Sequence, residues 1–192
     1  MDLFLAISQG IGTSLATGVR ALLVPLFVGV MARLDAAVDF EHTGYEFLES
    51  TWWLALLVAL VVAAWAVDRS ATPVPTAVYA VVGMGLGALM FAGALEDDGY
   101  FGTGGIIPGM VCALLGFLAA QAFLGGAADR LAARGEGAGT IRMLGDLGAI
   151  VVAALAILLP PASYVAVAFC LWVLIARRQR AGQKYEGLRI LR

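Results

Sequence analysis

The sequence predicts an all-α, polytopic integral membrane bundle of about six spans. Three observations carry that prediction. Of 192 residues, 61% are hydrophobic and only 14% charged, with a mean hydropathy of +0.92. Soluble domains hold about 45–50% apolar and about 25% charged residues, so this chain cannot cover its apolar surface in water. Its apolar residues fall into stretches near or above the roughly 20 residues that cross a bilayer. The charges collect in the connections between them.

Apolar stretches run over residues 3–34, 51–67, 77–95, 106–128 and 144–176. The first and last would be roughly 45 and 50 Å long as single helices, against a hydrocarbon core of about 30 Å. Pro160-Pro161 divides the last, because a proline pair removes donors and clashes with the preceding turn. This predicts a hairpin of two helices over 144–159 and 162–176. The first, interrupted by Gly10, Gly12, Gly18 and Arg20, reads as one long tilted or broken helix, with a partly re-entrant first half left open as an alternative. Residues 1–178 then form the transmembrane domain, and 179–192 a basic tail.

Charge orients the spans. Residues 35–50 and 96–105 hold Asp35, Asp39, Glu41, Glu46, Glu49, Glu96, Asp97 and Asp98 with no Lys or Arg. Arg69, Arg130, Arg134, Arg142, Arg177, Arg178, Arg180, Lys184, Arg189 and Arg192 fall on the other side. Because cytoplasmic flanks are enriched in Lys and Arg, both termini are expected in the cytoplasm of a bacterial inner-membrane protein, with the acidic loops outside and Arg33 as the exception. Gly10-Ile11, Ala21-Leu22-Leu23 and Ala32-Arg33-Leu34 find a faint echo in Gly105-Ile106, Ala113-Leu114-Leu115 and Asp129-Arg130-Leu131, the kind of signal an inverted repeat leaves.

Composition excludes several chemistries. His42 is the single histidine, and Cys112 and Cys170 stand alone in apolar runs, which leaves no residues for a bis-His haem, a His/Cys zinc site or a C-x-x-C pair. No phosphate-binding G-x-x-x-x-G-K-[ST] loop occurs, and a net charge of −2 gives no basic nucleic-acid face. We therefore expect no cofactor, no metal, no nucleic acid and no enzymatic activity. The acidic loops read as solvated.

Small-residue stripes at Gly10/Ser14/Gly18, Gly83/Gly87, Gly116/Ala120 and Gly145/Ala149/Ala153 permit close helix approach. They are expected to pack within the chain, with Gly83/Gly87 the best candidate for a homo-oligomer seam. Arg20 has apolar sequence on both sides, and an arginine at the bilayer centre costs at least roughly 2.5 kcal/mol, so it needs a carboxylate. Asp68, Asp129 and Asp146 are available, and Asp146, in Leu144-Gly145-Asp146-Leu147-Gly148, is favoured. Gln9, Thr13, Ser14 and Thr17 share the helix with Arg20 and predict a polar seam. Together with Arg20 and Asp146 they form the candidate substrate-binding set.

Residues 10–25, with Gly18-Val19-Arg20-Ala21 and Pro25-Leu26, then Phe47-Leu48-x-Ser50-x-Trp52-x-Leu54, then Asp146 ahead of an apolar run broken at Pro160 and closed by Arg177-Arg178, resemble bacterial inner-membrane proteins grouped as domain of unknown function 4126. The segment after the second span is shorter here than in that family. The resemblance implies the same architecture, again points to Arg20 and Asp146, and names no substrate. Two functions fit: a small transporter, channel or lipid-handling protein for an anionic or amphipathic substrate, or a non-catalytic scaffold or accessory subunit. Membrane lipids, a protein partner or further copies of the chain are the expected partners.

Overall fold

A computed structural model describes residues 3–34, 36, 38–67, 75–132 and 138–186. Among these the fold is all helical: α1 (Leu3–Val19), α2 (Leu23–Arg33), α3 (Thr51–Val67), α4 (Thr76–Asp97), α5 (Ile106–Ala132), α6 (Ala138–Leu158) and α7 (Ala162–Glu186), with short 3-10 turns at Glu46–Glu49 and Gly102–Gly105. Three helical segments are long and apolar enough to cross a membrane, Thr76–Asp97, Gly102–Gly125 and Ala162–Gln179. Four shorter apolar helices accompany them. The Pro-Pro break falls where expected, with Ala162 N–H donating to the Leu159 carbonyl at 2.8 Å across the turn. α7 continues through residue 178 to Glu186, so no helix ends at the expected start of the tail.

The first apolar stretch is a hairpin of two helices. A helix carried through residue 25 would set the proline ring against the Ala21 carbonyl. The chain instead leaves helical geometry after Val19 and restarts at Leu23, which puts Pro25 in the tolerant first turn of α2. α1 runs antiparallel to α4. Thr17 and Ala21 lie beside Gly83, Ser14 Oγ donates to the Gly87 carbonyl at 2.7 Å, Gly10 faces Phe91, and Ala6 packs with Phe91 and Leu95. Leu3 therefore stands at the end of the bundle that carries Glu96, Asp97 and Asp98.

α2 returns to that same end. Val24, Val28 and Ala32 share a core with Phe40, Leu48, Met90, Ala149, Ala153 and Ile157, and Arg33 donates to the Glu49 carbonyl at 3.3 Å. At 17 and 11 residues, α1 and α2 are about 25 and 16 Å long, so the elbow between them lies toward the opposite, basic end. Since α7 starts beside α1, with Phe4 stacked on Tyr164 at 5.5 Å, and runs away from it, Leu3 and Glu186 lie at opposite ends of the described bundle. This fold-back sets Leu3 and the Arg177–Arg178 end of α7 apart, where the charge pattern predicts both termini on one side. The repeat echo also fails, because its first copy is a bent hairpin and its second the single helix α5.

Backbone contact holds the centre together. A Cβ on Gly18 would collide with the Ala113 carbonyl and one on Gly116 with the Leu15 carbonyl, while one on Gly87 would lie 2.6 Å from the Ala113 Cβ. Gly83 and Gly87 thus pack within the chain against α1 and α5, as expected of the stripes, which leaves no room there for the alternative of a homo-oligomer seam. α3 is the exception. It is apolar on all sides, buries only Leu57, and packs on α2 and the Glu46–Glu49 turn.

Candidate functional site

Arg20 follows the last residue of α1, where the partial negative charge of the helix C-terminus favours a cation. Its Nε lies 2.5 Å from Asp146 Oδ1, and Gly145 supplies the room: a Cβ there would sit 3.2 Å from the terminal guanidinium nitrogen. Of the three carboxylates considered, Asp146 is the one seen at Arg20. Asp68 and the side chain of Asp129 lie outside the described residues. The Arg20 and Asp146 side chains are 28% and 36% exposed. The pair is therefore neither sealed in the core nor free in solvent, and a competing ion can reach it.

The pair opens into a cavity of about 430 Å³ bounded by the elbow, α3, α4, α5 and α6. Thr76, Tyr79, Gln121 and Trp65 add polar groups to its wall, while Val61, Ala64, Phe117 and Leu124 make the rest apolar. Ala21, Leu22 and Leu23 line it at the N-terminus of α2, which has no side-chain cap; the first turn is already engaged, with Val24 N–H donating to the Arg20 carbonyl at 3.3 Å and Pro25 lacking an N–H, so the guanidinium is the positive group of this wall. Chemically the arrangement sets a cation beside a largely apolar wall.

The polar seam of α1 is not part of that cavity. Gln9, Thr13, Ser14 and Thr17 are all buried. Thr13 donates to the Gln9 carbonyl at 2.9 Å, Thr17 to the Thr13 carbonyl at 2.8 Å, and Ser14 to Gly87 of α4. Hydroxyls that return to backbone carbonyls are satisfied within the packing, so these residues hold α1 in place and do not form a groove. Thr76, Tyr79 and Gln121 were missed as site residues. Gln121 carried a signal, an amide alone in an apolar stretch.

At the acidic end the carboxylates tie loop to helix. Glu96 accepts from Gly44 N–H at 2.7 Å, Asp97 from Asp39 N–H at 3.4 Å and Glu49 from Phe40 N–H at 3.4 Å. Burial pushes the Glu49 carboxyl above the ordinary range, with Asp39, Glu41 and Glu46 adding to the rise against the opposing Phe40 N–H bond. Burial, then the Glu96 charge, raises the Tyr45 phenol. Among the described residues no three His, Cys, Asp or Glu side chains converge as metal ligands, and His42, in left-handed conformation at φ 65°, lies on the exposed loop.

A second cavity of about 630 Å³ at the acidic end is lined by Leu3, Ile7, Ile11, Phe91, Leu95, Ile107 and Val111 among others. Between the two, α1, α4 and α5 are closed by the glycine contacts described above. The family described as Domain of unknown function (DUF4126) matches residues 7–180. No curated protein and no solved structure matches the chain.

Proposed function

We propose that this chain, which belongs to the DUF4126 family, is a non-catalytic membrane protein that takes up an anionic or amphipathic molecule at the α1–α2 elbow, as a small transporter or lipid-handling protein. One observation carries the reading: a half-exposed guanidinium faces a cavity that is part polar and part apolar. The packed seam between the two cavities argues for a carrier-like or lipid-handling action over an open channel. By the positive-inside rule the basic end, and with it the cavity, faces the cytoplasm of a bacterial inner membrane.

The test is titration of the protein, in nanodiscs of uncharged lipid, with decyl phosphate. Saturable binding that weakens roughly tenfold or more in Arg20→Gln, and is unchanged in Arg33→Gln, is the expected result. Equal binding by wild type and Arg20→Gln overturns it. A second reading, a scaffold or accessory subunit, rests on α3, whose apolar faces are largely without neighbours. Retention of a stoichiometric protein partner on gentle extraction favours that reading, and transport by the purified protein alone counts against it.

A further inference from the structure

Among the described residues, α3 and α4 wall the cavity without packing closely on each other. Val61, Ala64 and Trp65 of α3 and Thr76 and Tyr79 of α4 face one space, yet α3 packs on α2 and the Glu46–Glu49 turn and has no extensive contact with α4. In a membrane this side meets lipid, and Trp65 is 52% exposed there. The wall mixes polar and apolar groups: Leu124 and the Arg20 guanidinium both approach Gly145, and Gln121 lies between Phe117 and Leu124 on α5. At about 430 Å³ the space lies low in the roughly 300–1,000 Å³ range of small-molecule sites, so it takes a headgroup and leaves acyl chains outside.

Resting on the anion site proposed above, we infer that the ligand is an anionic phospholipid of the leaflet at the basic end, which enters sideways between α3 and α4. Its phosphate competes with Asp146 for the Arg20 guanidinium, whose planar fork suits phosphate oxygens, and its chains stay in the bilayer alongside Val61 and Ala64. Arg177 and Arg178, exposed at the same end, raise the local concentration of such lipids. A free phosphate arriving from water offers the same headgroup chemistry but needs no opening toward lipid.

The test separates these sources. Nanodiscs holding phosphatidylglycerol and phosphatidylcholine are stripped gently and the retained lipid is counted by native mass spectrometry. Glycerol phosphate binding is measured separately in phosphatidylcholine discs. Ala64→Trp fills the opening on a helix with little packing to disturb, and Val61→Trp serves as the second variant. The expected result is preferential retention of phosphatidylglycerol by wild type, reduced roughly fivefold or more in the tryptophan variants and by more than glycerol phosphate binding falls in the same variants, with loss of both ligands in Arg20→Gln. Unchanged phosphatidylglycerol retention in both tryptophan variants overturns lateral entry. Glycerol phosphate binding without a lipid preference overturns the lipid assignment and leaves the anion site standing. A wild type that binds neither overturns both.

Discussion

Arg20 lies about one α1 length, about 25 Å, from the acidic end, so the guanidinium sits toward the basic boundary of the apolar slab and its cost is below the mid-membrane figure. Removing one partner of a half-exposed pair leaves the other poorly compensated, at a cost of about 1–3 kcal/mol. The double exchange Arg20→Asp with Asp146→Arg restores opposite charges and is expected to recover folded yield, measured by monodisperse elution, but not decyl phosphate binding. Recovery of both would reduce the pair to a strut. Glu49 gives a second residue-scale prediction. A carboxyl whose folded pKa is raised contributes stability that is fully present below its ordinary value of 4.5 and is lost as pH climbs through the folded value. Glu49→Gln should therefore melt higher than wild type at about pH 7, with the gap closing toward about pH 4; a gap that is flat or grows on acidification contradicts this. Arg20 and Asp146 were legible in sequence because an isolated charge in an apolar run demands a partner. Gln9, Thr13, Ser14 and Thr17 are buried away from the cavity, and for Thr13 and Thr17 this was not legible because a hydroxyl bonded to its own helix and one lining a groove have the same sequence.

Elements were legible where local chemistry decides them. α3 begins and ends at residues 51 and 67 as its apolar run does, and Pro160-Pro161 marks the turn before α7. The α1–α2 fold-back was not decided locally, since an apolar run reads alike whether it continues across the membrane or returns. Pro25 and Gly18 permit the elbow, but the contacts of α1 with α4 and α5 set its direction. Gly116→Leu is accordingly expected to cost about 3 kcal/mol or more, because the obstructing atom is the Leu15 carbonyl and a backbone cannot rotate aside. Gly85→Leu, with no atom within 4 Å of its added Cβ, is expected to be near neutral. Comparable melting of the two variants in detergent would contradict the packing described for α1.

For the molecule as a whole, the fold-back places Leu3 at the acidic end and Arg177 at the basic end, and it makes one helix hairpin the floor of a cavity whose other walls come from α3, α4, α5 and α6. Charge distribution along the sequence correctly separated the acidic loops from Arg177 and Arg178. The count of spans could not be read the same way, because positive-inside reasoning assumes that each apolar stretch crosses. The most direct measurement uses Trp65, which lines the cavity, as reporter after Trp52→Phe, Trp53→Phe and Trp172→Phe. Brominated phosphatidylglycerol is expected to quench its fluorescence more strongly than brominated phosphatidylcholine at equal mole fraction, and Arg20→Gln is expected to abolish the difference. Equal quenching by the two lipids, or a preference that survives Arg20→Gln, would contradict an anion site at the elbow.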